Sequence, residues 1–177
     1  MKKIILAMIA VMVPLMLSAG STDFCFRHFS VEDGLSSCAV RAIMQDKYGF
    51  MWLGTDDGLN RYDGTTIKIY RLNPEGVNDY ISFLYDTTDR IWIGTGDGVY
   101  IYDYETEDFE PFKLLTAKGD SIKTNVNHIA EDRDGNLWFS TVGQGIFKYN
   151  VSKRYLERYE FKDADGLMAS VLIDSEN

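Results

Sequence analysis

The stretch that decides the fold is Met51-Trp52-Leu53-Gly54-Thr55-Asp56-Asp57-Gly58-Leu59, because the chain repeats it. It returns as Ile91-Trp92-Ile93-Gly94-Thr95-Gly96-Asp97-Gly98-Val99. It returns again as Leu137-Trp138-Phe139-Ser140-Thr141, followed by Gly143, Gly145 and Ile146. The tryptophans lie 40 and then 46 residues apart. Six residues before each stands an aspartate: Asp46, Asp86 and Asp132. An apolar segment holding Ile43, Leu84 or Ile129 precedes that aspartate. Arg61-Tyr62-Asp63, Ile101-Tyr102-Asp103 or Lys148-Tyr149-Asn150 follows the tryptophan phrase. Self-similarity at this period marks a repeat architecture. Val171-Leu172-Ile173-Asp174 opens a fourth copy, whose tryptophan would fall at position 180, past Asn177.

Each unit reads as four short strands. In the first they are Val40–Gln45, Phe50–Gly54, Leu59–Tyr62 and Thr66–Leu72, separated by Asp46–Gly49, Asp57-Gly58 and Asp63-Gly64. Aspartate and glycine are turn formers, glycine because it takes positive φ without steric cost. Four antiparallel strands in such a unit make a β-propeller blade. The expected fold is therefore all-β: a partial propeller of three four-stranded blades over residues 38–72, 79–115 and 124–161, with a fourth starting near 168. Phe24–Phe29 reads as a leading outer strand, Ser30–Ser37 as a linker and the Val171 segment as a trailing strand. Trp52, Trp92 and Trp138 are assigned to packing between blades, where a large ring fills the gap. Gly54 and Gly94 are assigned to close backbone approach. Propellers typically close with four to eight blades, so three leave open edges and half-covered faces.

Residues 1–20 are of another kind. Lys2 and Lys3 precede an apolar run from Ile4 to Leu17, then the small residues Ser18, Ala19 and Gly20. That is a secretory signal peptide, the run being shorter than a membrane span of about 20 residues, with an uncleaved anchor as the alternative. Residues 21–177 form the exported propeller segment. The formal charge of −9 becomes −11 once both lysines leave with the leader. An acidic surface excludes a nucleic-acid footprint. Cys25 and Cys38 either pair in an oxidising compartment or remain buried thiols among their apolar neighbours.

The phrase Gly34-Leu35-Ser36-Ser37, Val40, Ile43, Asp46, Gly49-Phe50-Met51-Trp52-Leu53-Gly54-Thr55, Gly58-Leu59 and Arg61-Tyr62-Asp63-Gly64 resembles the two-component regulator propeller repeat. The resemblance runs over residues 24–177. It implies the N-terminal periplasmic sensor region of a bacterial hybrid histidine kinase. Such sensors detect polysaccharide-derived oligosaccharides and switch on utilisation genes. The resemblance also implies partners: an oligosaccharide ligand, the remaining blades and domains of a full-length sensor anchored in the inner membrane, and a second copy as a homodimer. No kinase region lies in these residues, so no enzyme activity is expected of the chain itself.

No residue pattern argues for a metal or cofactor. Asp132-Arg133-Asp134-Gly135-Asn136 starts like a calcium loop, but Leu137 and Gly143 stand where glycine and glutamate are required. His28 and His128 are read as structural. Asp46, Asp57, Asp63, Asp97, Asp103 and Asp134 fall at turns, where turn chemistry explains them. Propellers commonly bind ligands on the face carrying the loops between second and third strands. On that face Asp56, Asp57, Asp97 and Gln144 are the candidate ligand-binding residues. Two alternatives stay open: a secreted propeller enzyme acting on polysaccharide, and a stand-alone scaffold that closes its ring by oligomerisation.

Overall fold

The computed structural model describes residues 26–73, 79–160 and 170–174. The leader at 1–20 and Cys25 lie outside the described residues. The first sheet comprises β1 (Val40–Gln45), β2 (Met51–Thr55), β3 (Gly58–Tyr62) and β4 (Ile67–Tyr70). The second comprises β5 (Ile81–Asp86), β6 (Arg90–Thr95), β7 (Gly98–Asp103) and β8 (Asp108–Pro111). The third comprises β9 (Val126–Glu131), β10 (Leu137–Thr141), β11 (Gly145–Asn150) and β12 (Tyr155–Tyr159). Each is an antiparallel meander with its strands in sequence order, as the repeat predicts. We call them blades 1, 2 and 3.

Strand residues alternate between the two faces of a sheet, and the hydrophobic cores follow from that rule. Trp52 and Leu59 of blade 1 meet Ile81, Leu84, Ile91, Ile93 and Tyr102 of blade 2. Trp92, Val99 and Ile101, on the opposite face of blade 2, meet Val126, Ile129, Leu137, Phe139, Phe147 and Leu156 of blade 3. The cores thus lie between blades rather than inside any one of them. Blade 2 is covered on both faces, so β6 reads as the continuous apolar run Ile91-Trp92-Ile93 and is buried from Ile91 to Thr95. In β1, by contrast, intermediate and exposed residues alternate, and Ile43 is 64% exposed.

Two of the three tryptophans lie between blades, and Trp138 does not contact a further blade among the described residues. Trp52 packs on Tyr102 and Phe109 of blade 2, with ring centroids 5.1 and 6.4 Å away. Trp92 meets Phe139 and Tyr149 of blade 3, each at 5.8 Å. Trp138, in the last blade, stacks on Tyr159 of its own outer strand at 5.7 Å. A Cβ on Gly54 would lie 2.5 Å from Ile81 Cγ2, and one on Gly94 would lie 3.0 Å from the Val126 carbonyl oxygen. Glycine there lets the first residue of the next inner strand rest on the backbone.

Several expectations are corrected. The leading strand expected over Phe24–Phe29 is absent across its described part, residues 26–29. The trailing strand at Val171–Asp174 is likewise not formed. Residues 27–36 instead lie on the outer face of blade 1. Phe29 packs edge-on to Tyr62 at 4.9 Å, and Arg27 donates to the Tyr62 hydroxyl (2.9 Å). The linker is ordered into a 3-10 turn, Val31–Asp33. Asp33 accepts from the Ser30 backbone N–H, Ser30 Oγ accepts from the Glu32 N–H, and Gly34 ends the turn at φ +106°. His28 is consequently not in a strand, whereas His128 lies in β9, 4.5 Å from the Phe83 ring. Cys38 is exposed, not buried. The connection after β8 covers the edge of blade 3 through a parallel bridge between Thr116 and Leu156, which shields unpaired strand groups.

Gly54→Ala is expected to destabilise the protein by about 1–3 kcal/mol through overpacking against Ile81. In urea denaturation, Ile81→Ala combined with Gly54→Ala should cost less than the sum of the two, because the pair shares one contact.

Candidate functional site

The two ends of the blades differ in chemistry. One end carries the β2–β3, β6–β7 and β10–β11 hairpins, where the four candidate residues fall. The structure places all four there, with their polar groups engaged locally. Asp56 accepts twice from the Arg41 guanidinium, at 2.7 and 3.0 Å. Asp57 pairs with Arg71. Those hydrogen bonds hold both carboxyls below the usual carboxylate range. Asp97 accepts from the Thr95 hydroxyl (2.8 Å) within its own turn. The Gln144 side chain accepts from the Lys123 N–H (2.9 Å) and donates to the Ser121 carbonyl (3.2 Å), tying the loop to the preceding connection. They belong to three separate hairpins, Asp56 and Asp57 sharing the first.

The same end holds a buried polar lock that sequence reasoning missed. Asn60 is fully buried, and its Oδ1 accepts from the Ser36 N–H (2.9 Å) while its Nδ2 donates to Ser36 Oγ (2.8 Å) and the Leu53 carbonyl (3.1 Å). Ser36 Oγ also meets Thr55 Oγ1 at 2.8 Å. This lock pins the Gly34-Leu35-Ser36-Ser37 phrase onto β3.

The opposite end is built from the β1–β2 and β3–β4 hairpins and their counterparts. In blade 1, Asp46 Oδ1 accepts from the backbone N–H groups of Tyr48 (2.9 Å) and Phe50 (3.0 Å), and Oδ2 accepts from the Trp52 indole (2.7 Å). Blade 3 repeats the device. Asp132 accepts from the N–H groups of Asp134 (3.1 Å) and Asn136 (2.8 Å) and from the Trp138 indole (3.0 Å). Gly49 and Gly135 take positive φ, +88° and +77°, to close these three-residue loops. Asp86 breaks the pattern. Trp52 is registered with Met44 and Trp138 with Ala130, but Trp92 is registered with Tyr85. The blade 2 loop is one residue shorter, so Thr87 takes the aspartate's place in the turn. Asp86 moves to the other face of the strand, where it accepts from the Tyr104 hydroxyl (2.8 Å). Equal sequence spacing therefore did not mean equal position.

Burial alone would push the Asp132 carboxyl up, but the Trp138 indole, the Asn136 side chain and N–H, and Lys148 outweigh it and hold it at about 2. Burial lowers the His128 imidazole. Burial and then Asp86 push the Tyr104 phenol far up, so it stays a donor.

Among the described residues, a cleft opens at this end between each pair of neighbouring blades. A cleft of about 380 Å³ between blades 1 and 2 is lined by Asp46, Tyr48, Phe50, Arg61, Tyr102, Tyr104 and Glu107. One of about 600 Å³ between blades 2 and 3 includes Arg90, Trp92, Phe112, Glu131, Tyr149 and Arg154. Concave sites with aromatic walls and a few polar groups suit small ligands. Among the described residues, no three His, Cys, Asp or Glu side chains converge as a metal site. The cleft residues carried no sequence signal beyond lying in the turns and aromatic segments of the repeat.

These features define three consecutive blades of a β-propeller. Residues 34–57 and 121–143 match the family described as two component regulator propeller. Among solved structures it is similar to the extracellular domain of a protein from B. thetaiotaomicron described as a hybrid two-component system. The identity is 28% and the TM-score 0.68, covering 81% of this chain and 21% of that one. A second extracellular domain from that organism, described as a one-component or hybrid two-component system, aligns with TM-scores of 0.71 and 0.70 at 19% identity. That likeness, over 84% of this chain and 21% of that one, shows the fold alone. Over 59 residues the chain is 54% identical to a histidine kinase of Formosa agariphila, covering 33% of this chain and 4% of that protein. The virginiamycin B lyase of Staphylococcus aureus shares the fold at 18% identity and a TM-score of 0.60, over 82% of this chain and 48% of that one. The chain thus spans about a fifth of the first solved relatives and a small fraction of the kinase.

Asp132 is more acidic in the folded chain than in the unfolded one, so its stabilisation is present above about pH 4 and lost as pH falls toward 2. Asp132→Asn should lower stability at pH 7 by about 2 kcal/mol and flatten the acid limb of thermal unfolding between those values.

Proposed function

We propose that this chain is the N-terminal part of a periplasmic, ligand-sensing propeller in a hybrid two-component system. In this reading it is exported by the leader at residues 1–20 and belongs to a sensor anchored in the inner membrane. It detects oligosaccharides released from polysaccharides and controls the genes that use them. The observation that carries the reading is the 28% identity, over 81% of the chain, to an extracellular domain of that system type, together with the two repeat matches. The leader and the acidic balance of −9 support an exported protein that does not bind nucleic acid.

The chain's own work is binding. Asp46, Asp56, Asp57 and Asp132 are turn and ion-pair groups, and the kinase chemistry belongs to another part of the sensor. We assign Asp56, Asp57, Asp97 and Gln144 to the geometry of their hairpins. Only a likeness in fold, at 18% identity, links the chain to a lyase, so an enzyme is not the favoured reading.

The complete exported region encoded by the gene should be purified and screened by thermal unfolding against oligosaccharides from different polysaccharides. A ligand at 100 times its Kd stabilises the folded state by about 2.7 kcal/mol, so at least one oligosaccharide should raise the melting temperature in a dose-dependent way. Deleting the gene should abolish growth-linked induction by the same polysaccharide. If no oligosaccharide shifts the transition and induction survives deletion, the sensor reading fails.

A further inference from the structure

Three features of the cleft between blades 1 and 2 exceed what the fold requires. The first is Tyr48, which is 63% exposed. It occupies the same turn position as Asp134 of blade 3, whose N–H is bound by Asp132 just as that of Tyr48 is bound by Asp46. The hairpin therefore closes equally well without a ring. Phe50 likewise stands where blade 3 has Asn136. Blade 1 has two aromatic rings at positions where the repeat accepts polar turn residues.

The second is Arg61. It lies directly across from Trp52, as Lys148 lies across from Trp138. Lys148 has an acidic partner, with its Nζ 3.4 Å from Asp132. Arg61 has no carboxylate within ion-pair distance among the described residues. Its guanidinium is instead held over three rings, at 4.7 Å from Phe50, 5.7 Å from Trp52 and 5.8 Å from Tyr70. The rings fix its direction and leave its five planar donors for something else.

The third is Glu107, at φ +54° in the β7–β8 turn. A left-handed position favours glycine or asparagine, and another side chain held there costs free energy. The strained residue carries a carboxylate that lines the same cleft. Its counterpart in blade 3, Arg154 at φ +53°, lines the neighbouring cleft.

The walls are also pre-set. Tyr104 is oriented by its hydrogen bond to Asp86, by Lys47 Nζ 4.2 Å from its ring centre, and by an edge-on contact with Tyr48 at 5.3 Å. Lys47 is itself tied to the Thr88 carbonyl. A site whose walls need no rearrangement loses less on binding.

Together these point to one ligand chemistry. An exposed ring offers a flat, electron-rich face to C–H groups. A guanidinium and a carboxylate on either side offer donors and acceptors to groups that do both, which is what adjacent hydroxyls are. The charges in and around the cleft are Arg61 and Lys47 against Asp46, Asp86 and Glu107, so a further anion is not favoured. The volume of about 380 Å³ falls in the range of small-ligand pockets. Resting on the oligosaccharide-sensor reading above, we propose that this cleft binds one pyranose unit of a neutral oligosaccharide. The sugar's apolar face stacks on Tyr48, and its hydroxyls bridge Arg61 and Glu107.

The test is calorimetric titration of the complete exported protein with cellopentaose, xylopentaose, mannopentaose, laminaripentaose and a pentameric oligogalacturonate. One or more of the neutral sugars should bind. Tyr48→Ala should weaken that binding at least tenfold with at most a small fall in melting temperature, because most of the ring is exposed. Glu107→Gly should also weaken it at least fivefold while raising the melting temperature, since glycine relieves the backbone strain. A merely structural residue would not move the two readouts in opposite directions. Arg154→Gly, in the other cleft, should leave affinity unchanged. If a neutral sugar binds and both cleft variants bind it as the parent does, the cleft assignment falls and the sensor reading stands. If only the oligogalacturonate binds, the neutral class is wrong. If no sugar binds, the sensor reading fails and takes the cleft with it.

Discussion

Everything in this chain depends on how closely one blade can sit on the next. Blade 2 begins with Ile81 placed where the Cβ of residue 54 would be, and blade 3 begins with Val126 against Gly94. The missing side chain lets the neighbouring inner strand drop onto the sheet. The tryptophan two residues earlier then fills the wedge that opens outward. Trp52 and Trp92 each contact the following blade, and each pair of blades shares a buried cluster. An isolated blade would have no interior. The unit that carries the stability is the interface, as in other repeat architectures where neighbours supply the core.

A second device governs the end of the blade away from those contacts. One buried carboxylate gathers two backbone N–H groups and the indole N–H, so a single residue closes the hairpin and orients the wedge. Of the two residues that give it their N–H groups, the first, Tyr48 or Asp134, has an exposed side chain, whereas the second, Phe50 or Asn136, also packs on the core or bonds the aspartate. Blade 1 puts Tyr48 and Phe50 there, and blade 3 puts Asp134 and Asn136. Chemistry can be added at the exposed one of these positions without disturbing the hairpin. The other end is arranged differently. Its polar side chains hold hairpins, the preceding connection and the Ser36–Asn60 lock together, so their groups are already engaged.

The similarity to extracellular propeller domains fits this division of labour. One end of the array is stiffened, and the other opens a cleft between each pair of neighbours. A ligand in such a cleft touches two blades at once, as Tyr48 and Tyr104 already do across blades 1 and 2. Binding there would be felt by the interface that carries the stability.

The sequence by itself determined the blades. Three copies of the tryptophan phrase, with glycines at the turns, settled strand number, order and antiparallel pairing. These are set by contacts close along the chain and by a period that can be read directly. The positions of the tryptophans and of Gly54 and Gly94 were legible for the same reason, since both are properties of the repeat. Tertiary structure decided the rest. Asp86 keeps the spacing of Asp46 and Asp132 but lies on another face, because a loop one residue shorter flips every side chain beyond it. Residues 26–29 have the composition of a strand, yet none forms, and Arg27 and Phe29 lie against Tyr62 on the outer face of blade 1. The cleft was not legible, because Tyr48, Arg61, Tyr104 and Glu107 lie on different strands and turns of two blades. Only the packing of one sheet on another brings their side chains to one place.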